Sequence, residues 1–207
     1  MAKYQSGYLG PFDGKLGTAV GSRWKGINYM RSLGRRRKGT PSPKQQVQMA
    51  RFSFVGRFIK SMTALFKVTF KDYATGETEH NYVFRYTINN VLTGTHPNFG
   101  LNYSIALVAQ GSLPNAGNPA ASNGGPGETR WNWTDNSGNG IAKGEDKAIL
   151  VAYCEELNRC EFKLPGSMRQ ATADSLQIVA FSGKQVQTWT SLLLTMAILL
   201  PAFIPVR

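Results

Sequence analysis

The chain has two histidines and two cysteines in 207 residues. So small a supply narrows the chemistry. Nucleophilic hydrolysis needs a base beside the nucleophile, usually histidine. Neither His80 nor His96 stands in a nucleophile-elbow or zinc-helix motif. His80 reads as an exposed or capping residue, and His96, next to Pro97, as a loop residue. A structural zinc site needs four ligands, and both histidines lie far in sequence from Cys154 and Cys160. No metal, no cofactor, no small-molecule substrate and no catalytic residue is expected, so the chain is read as a non-enzyme. Cys154 and Cys160 flank a turn. With Leu157 at its centre they face each other across a hairpin, where a disulfide is geometrically possible. Two buried or free thiols are the preferred alternative.

Long apolar runs are also missing. The most apolar stretch, Leu192 to Ile204, is broken by Pro201 and falls short of the roughly 20 residues a membrane helix needs. It reads as buried strands or an interface segment, with a membrane-associated tail as the alternative. Met1 to Phe12 carries no apolar run, so a secretory signal is not read, unless one was removed before this numbering begins. Synthesis in the cytoplasm followed by incorporation into a particle is the expectation.

The third scarcity is of acid in the first third. Fifteen of the twenty-four Lys and Arg residues precede Asp72, against Asp13 alone, which gives residues 1–71 about +14. Residues 72–207 carry nine basic and eleven acidic side chains, about −2. Like charges crowded into one segment repel unless something negative lies beside them. The expected partner is nucleic acid or another polyanion, or the acids of a neighbouring copy in a homo-oligomer; a solvated basic loop is the bland alternative. The candidate contact residues are Arg23, Lys25, Arg31, Arg35, Arg36, Arg37 and Lys38. Arginine forks make bidentate phosphate contacts, and neutralised phosphates release counterions. Trp24 and Tyr29, interleaved with these cations, are candidate stacking residues.

What the chain has in plenty is glycine (22 residues) and aromatics (11%), a composition suited to short strands and tight turns. Residues 1–43 read as a basic, glycine-rich extended arm. Within it, Trp24 to Arg31 reads as one strand with Trp24, Asn28 and Met30 on one face and Lys25, Ile27, Tyr29 and Arg31 on the other. Residues 44–113 are expected to hold a long helix (44–66), carried by Val47, Phe54, Phe58, Met62 and Leu65. A segment at 78–93 is ambiguous and leans helical. Tyr103 to Ala109 is expected to form the first core strand. Residues 114–127 read as a loop, and 128–207 as an antiparallel, sandwich-like set of strands. The fold class is thus mainly β with one or two helices (α+β). In Arg130 to Thr134, Trp131 and Trp133 share a face. They read as core, with a sugar-stacking platform on a carbohydrate-binding surface protein as the alternative. Asp135 to Gly140 is similar to a calcium loop but lacks the downstream acid, so it reads as a turn.

Several short motifs together resemble an uncharacterised family of roughly 200-residue proteins from Bacteroidota. They are Gly14-Lys-Leu-Gly-Thr-Ala-Val-Gly21, the basic segment through Arg31, Thr40-Pro with Gln45-Gln-Val-Gln-Met-Ala-Arg-Phe52, Leu101-Asn-Tyr103, Gly111-Ser-Leu113, a later Trp with Asp146, and Phe181-Ser-Gly-Lys184. The resemblance implies a helix-containing N-terminal part, a β-sandwich-like C-terminal part and no activity to transfer. Leu192 to Ile204 departs from it, where a more polar closing strand is expected. The functional expectation is a self-associating structural protein, such as a virion, shell or filament subunit, whose basic segment contacts nucleic acid or a neighbour. The alternative is a soluble nucleic-acid-binding protein.

Overall fold

In the computed structural model the chain divides into two compact units, Met1–Ser42 and Pro43–Arg207. It describes residues 3–4, 10–24, 26–35, 39–193 and 202–206. The class is α+β, mainly antiparallel β with helices.

The first unit is a four-stranded antiparallel meander of β1 (Lys3–Tyr4), β2 (Phe12–Leu16), β3 (Ala19–Trp24) and β4 (Ile27–Ser32), in that spatial order. The expected single strand from Trp24 to Arg31 is instead a hairpin. Trp24 pairs with Ile27 across Gly26, whose φ of 84° is the left-handed conformation a tight hairpin demands.

The second unit has three layers. Its helical layer holds α1 (Pro43–Ser61), α2 (Thr63–Thr69) and α3 (Glu79–Tyr86), the last continuing into a wide turn at Thr87–Val91. Helix over 44–66 is therefore present, but broken. The Ser61 hydroxyl donates to the Phe58 carbonyl (2.7 Å) and that of Thr63 to the Lys60 carbonyl (3.1 Å). Such back-bonding bends helices. The buried face is Val55, Phe58, Ile59, Met62, Leu65 and Phe66, with Val47 and Phe54 only half-buried. The ambiguous 78–93 segment is helical at its start because the Thr78 hydroxyl caps the Asn81 amide. A small hairpin, β5 (Leu92–Thr95) and β6 (Asn98–Leu101), follows.

Tyr103 to Ala109 is not a strand. Tyr103–Ile105 is a 3-10 turn in which the Asn102 side chain accepts from the Ser104 amide. The segment's carbonyls find side chains in place of a ladder. Trp189 Nε1 donates to the Tyr103 oxygen (3.3 Å), and the Thr69 hydroxyl to that of Val108 (3.1 Å). With those groups satisfied, Ala106 and Val108 sit in the core without a partner strand.

The expected loop at 114–127 is largely a strand, β7 (Gly117–Gly125), bulged and paired to β8 (Glu128–Thr134). Its low-propensity Asn, Gly and Ala residues are held by β8 rather than by their own preference. β11 (Ala173–Gln177) completes that three-stranded sheet in the order β11-β8-β7. A second sheet has the order β10-β9-β12-β13, from β9 (Lys147–Cys154), β10 (Arg159–Lys163), β12 (Val186–Leu193) and β13 (Ala202–Val206).

β9 is buried along almost its whole length because both its faces are covered. Ile149, Val151 and Tyr153 face the helices together with Trp189, and Phe58 meets Tyr153 edge-on at 5.1 Å. Ala148, Leu150, Ala152 and Cys154 face Trp131 and Trp133 of the other sheet. The apolar closing stretch resolves in part into β12 and its partner β13; residues 194–201 lie outside the described residues. Among the described residues no helix is long and apolar enough to cross a membrane.

Candidate polyanion-contact surface

Among the described residues the first unit is a sheet without a core. Gly21 is its one buried residue among those described, and all six residues of β4 are exposed. Its glycines explain how so thin a layer holds together. A Cβ on Gly21 would sit 2.1 Å from the Phe12 carbonyl oxygen and 2.7 Å from the Phe12 ring, so only glycine lets Phe12 approach β3 so closely.

The register sorts the side chains onto two faces. Lys15, Val20 and Arg31 form one cross-strand row, Ser22 and Tyr29 the next on that face, Trp24 and Ile27 the third. Lys3 stands opposite Asp13 on the same face. Trp24 therefore joins Tyr29 and Arg31, correcting the single-strand reading that separated them. Arg23 lies on the opposite face with Asn28 and Met30. Arg23, Arg31 and Arg35 are all exposed, whereas Lys25, Arg36, Arg37 and Lys38 lie outside the described residues.

Every ion pair among the described residues falls after Pro43: Glu77–Arg85, Arg159–Glu161, Lys163–Asp174, Arg169–Asp146 and Lys184–Glu156. The basic sheet thus presents Lys3, Lys15, Arg23 and Arg31, and the segment after it Arg35, outside any such pair.

Other sequence candidates resolve differently. Trp131 is fully buried and Trp133 nearly so, which removes the sugar-stacking platform: neither ring face is open to a ligand. Cys154 and Cys160 are both free thiols. A four-residue turn sets Arg159, not Cys160, opposite Cys154, and Cys160 opposite Tyr153. The two sulfurs therefore point to opposite faces of the sheet, and the possible disulfide is excluded. Asp135 accepts from the Ser137 hydroxyl and amide, contacts that hold its carboxyl below the usual range. The turn uses that carboxylate internally. Among the described residues no cluster of three or more His, Cys, Asp or Glu is placed to hold a metal ion.

Two features escaped the sequence. Arg169 is wholly buried, and its guanidinium donates to Asp146 Oδ2 (3.0 and 3.2 Å), to the carbonyls of Pro114 (2.9 Å) and Asn115 (3.4 Å), and to Asn136 Oδ1. Its own carbonyl accepts from Trp133 Nε1 (2.7 Å). In the sequence Asp146 stands out as part of a family motif and of the acidic pair Glu145-Asp146, whose adjacent carboxylates do not converge on a cation; nothing local to Met168-Arg169-Gln170 marks a buried cation. The second is a cleft of about 510 Å³ between the β7–β8 turn and Phe181 to Val186. The Phe181-Ser-Gly-Lys184 motif lines it, with Phe181 buried and Lys184 paired to Glu156.

A family model described as "Family of unknown function (DUF6266)" matches residues 11–196. No curated protein and no solved structure matches the chain.

Proposed function

We propose, since the chain belongs to that family of unknown function and no activity passes to it from there, that it is a non-enzymatic, self-associating structural subunit, and that the N-terminal sheet is its contact surface. The observation that carries this reading is the bare sheet. Trp24, Ile27, Tyr29 and Met30 are each between 44% and 65% exposed. Exposed apolar groups gathered on one hairpin, Trp24, Ile27 and Tyr29 on one face and Met30 on the other, are the usual mark of an interaction surface. β4 is also an edge strand, with no further strand beside it among the described residues. A fully exposed edge offers unpaired amides and carbonyls to another chain.

Charge sets the condition for assembly. Residues 1–42 hold nine Lys and Arg against Asp13, so two such sheets repel unless an anion lies between them. A polyanion that neutralises the sheet lets its apolar side chains meet. A particle or filament subunit bound to nucleic acid satisfies both requirements. The soluble nucleic-acid-binding alternative shares the cationic face but leaves the β4 edge without a role.

Light scattering on the full chain separates the readings. Assemblies that persist in high salt, and that Ile27→Lys with Met30→Lys disperses while the second unit keeps its unfolding transition, support the proposal. A monomer at every protein concentration, binding nucleic acid with steep salt dependence, overturns it for the alternative.

A further inference from the structure

We infer that the face of the N-terminal sheet bearing Trp24, Tyr29, Lys15 and Arg31 is a platform for single-stranded nucleic acid rather than for duplex. This rests on the reading of that sheet as a contact surface and goes further by naming what it contacts.

The argument begins with row spacing. Residues two apart on a strand are about 7 Å apart. The face therefore presents cations in the Lys15–Val20–Arg31 row, then Tyr29 about 7 Å along, then Trp24 in the terminal row. Trp24 and Tyr29 stand on neighbouring strands in successive rows of one face, a diagonal pair about 7–8 Å apart. That is about two base-stacking steps of 3.4 Å. Rings so spaced each take the flat face of one base when the strand is unstacked and drawn out to about twice its stacked rise, while the cations meet the backbone that joins the bases.

Duplex DNA offers no such faces, because its bases are stacked on one another and show side chains only their edges. A four-stranded sheet also enters neither groove as a helix or two-stranded ribbon does. Exposed aromatics on a four-stranded antiparallel sheet, flanked by Lys and Arg, are instead the general arrangement by which unpaired bases are held. The neighbouring charges agree: Lys3, Lys15 and Arg31 against Asp13 leave the face cationic.

Trp24 also supplies the readout. It is 44% exposed, while Trp131, Trp133 and Trp189 are all buried, so a ligand on this face quenches one indole selectively. The test uses the full chain with four probes: oligothymidylate and oligouridylate of about 12 nucleotides, a duplex of matching length, and heparin. The expected result is quenching by both single strands and binding at least about tenfold tighter than to duplex. Trp24→Ala and Tyr29→Ala should each weaken single-strand binding about fivefold or more with heparin affinity unchanged, and Trp24→Phe should restore most of it. Unchanged heparin affinity also shows that the sheet has survived the substitutions. Equal affinity for single strand and duplex, or single-strand binding indifferent to both aromatic replacements, overturns this inference and leaves the contact-surface reading standing. No binding to any of the four probes overturns both.

Discussion

Arg169 and Asp146 lie 3.0 Å apart with both side chains withdrawn from solvent, 0% and 1% exposed. The pair ties the 3-10 turn at Arg169–Ala171 to the residue just before β9 and, through the Pro114 and Asn115 carbonyls, to the entry into β7. The Lys143 amide also donates to Asp146 Oδ2 (2.8 Å). Breaking a buried pair from one side strands the other charge, at about 3–5 kcal/mol. Asp146→Ala is therefore expected to lower the unfolding free energy by about that amount in urea or guanidinium titration. A loss under about 1 kcal/mol would show that the network contributes little.

Trp131 separates core from platform by experiment. Its side chain packs between the two sheets, so Trp131→Ala should cost about 3–5 kcal/mol of stability. Normal stability together with a lost interaction with a glycan array would restore the surface role that its burial removes.

The thiols make a third case. Burial, with the Glu161 charge adding to it, pushes the Cys160 thiol up, and Cys154 is buried. Since the thiolate is the reactive form, both should resist iodoacetamide in the native protein and both should react after unfolding without reductant. A mass that shows only one or neither thiol alkylated in denaturant would contradict the opposite-face geometry.

Asp174 sets an acid limit. Burial raises its pKa, but the Lys163 ammonium (2.6 Å) and the amides of Ser167 (2.7 Å) and Ser175 (2.8 Å) outweigh that and hold the carboxyl low. A carboxylate with a depressed folded pKa stabilises fully above its unfolded value, about 3.9, and loses that contribution as pH falls through the folded value. The stability difference between wild type and Asp174→Asn should therefore be constant above about pH 5 and shrink below about pH 4. A difference that widened in acid would reverse the sign of this interaction.

How much of this was legible in sequence follows from where the information lay. Trp131 and Trp133 announced themselves as core because alternation is a local signal. The helix over 44–66 did too, though not its break, which Ser61 and Thr63 make through contacts with their own turn. Tyr103 to Ala109 carried a strand-like composition, but its carbonyls are claimed by Thr69 and Trp189, residues far away along the chain. Residues 117–125 had the opposite problem: a loop's composition, held in a strand by β8. The cysteine geometry turned on a one-residue shift of register, which spacing alone does not fix. At the candidate surface, the charge imbalance was plain. That Trp24 and Tyr29 share a face was not, because it depends on a hairpin at Gly26 that the strand pattern ran through.

The central claim is that the cationic N-terminal sheet exists to meet another molecule. The most direct measurement is the mass of the full chain by light scattering at about 150 mM ionic strength, with and without added oligothymidylate. The expected result is species well above the 22.8 kDa monomer that carry the oligonucleotide and that glutamine at Arg23, Arg31 and Arg35 strips of it. A 22.8 kDa particle unchanged by the oligonucleotide would contradict it.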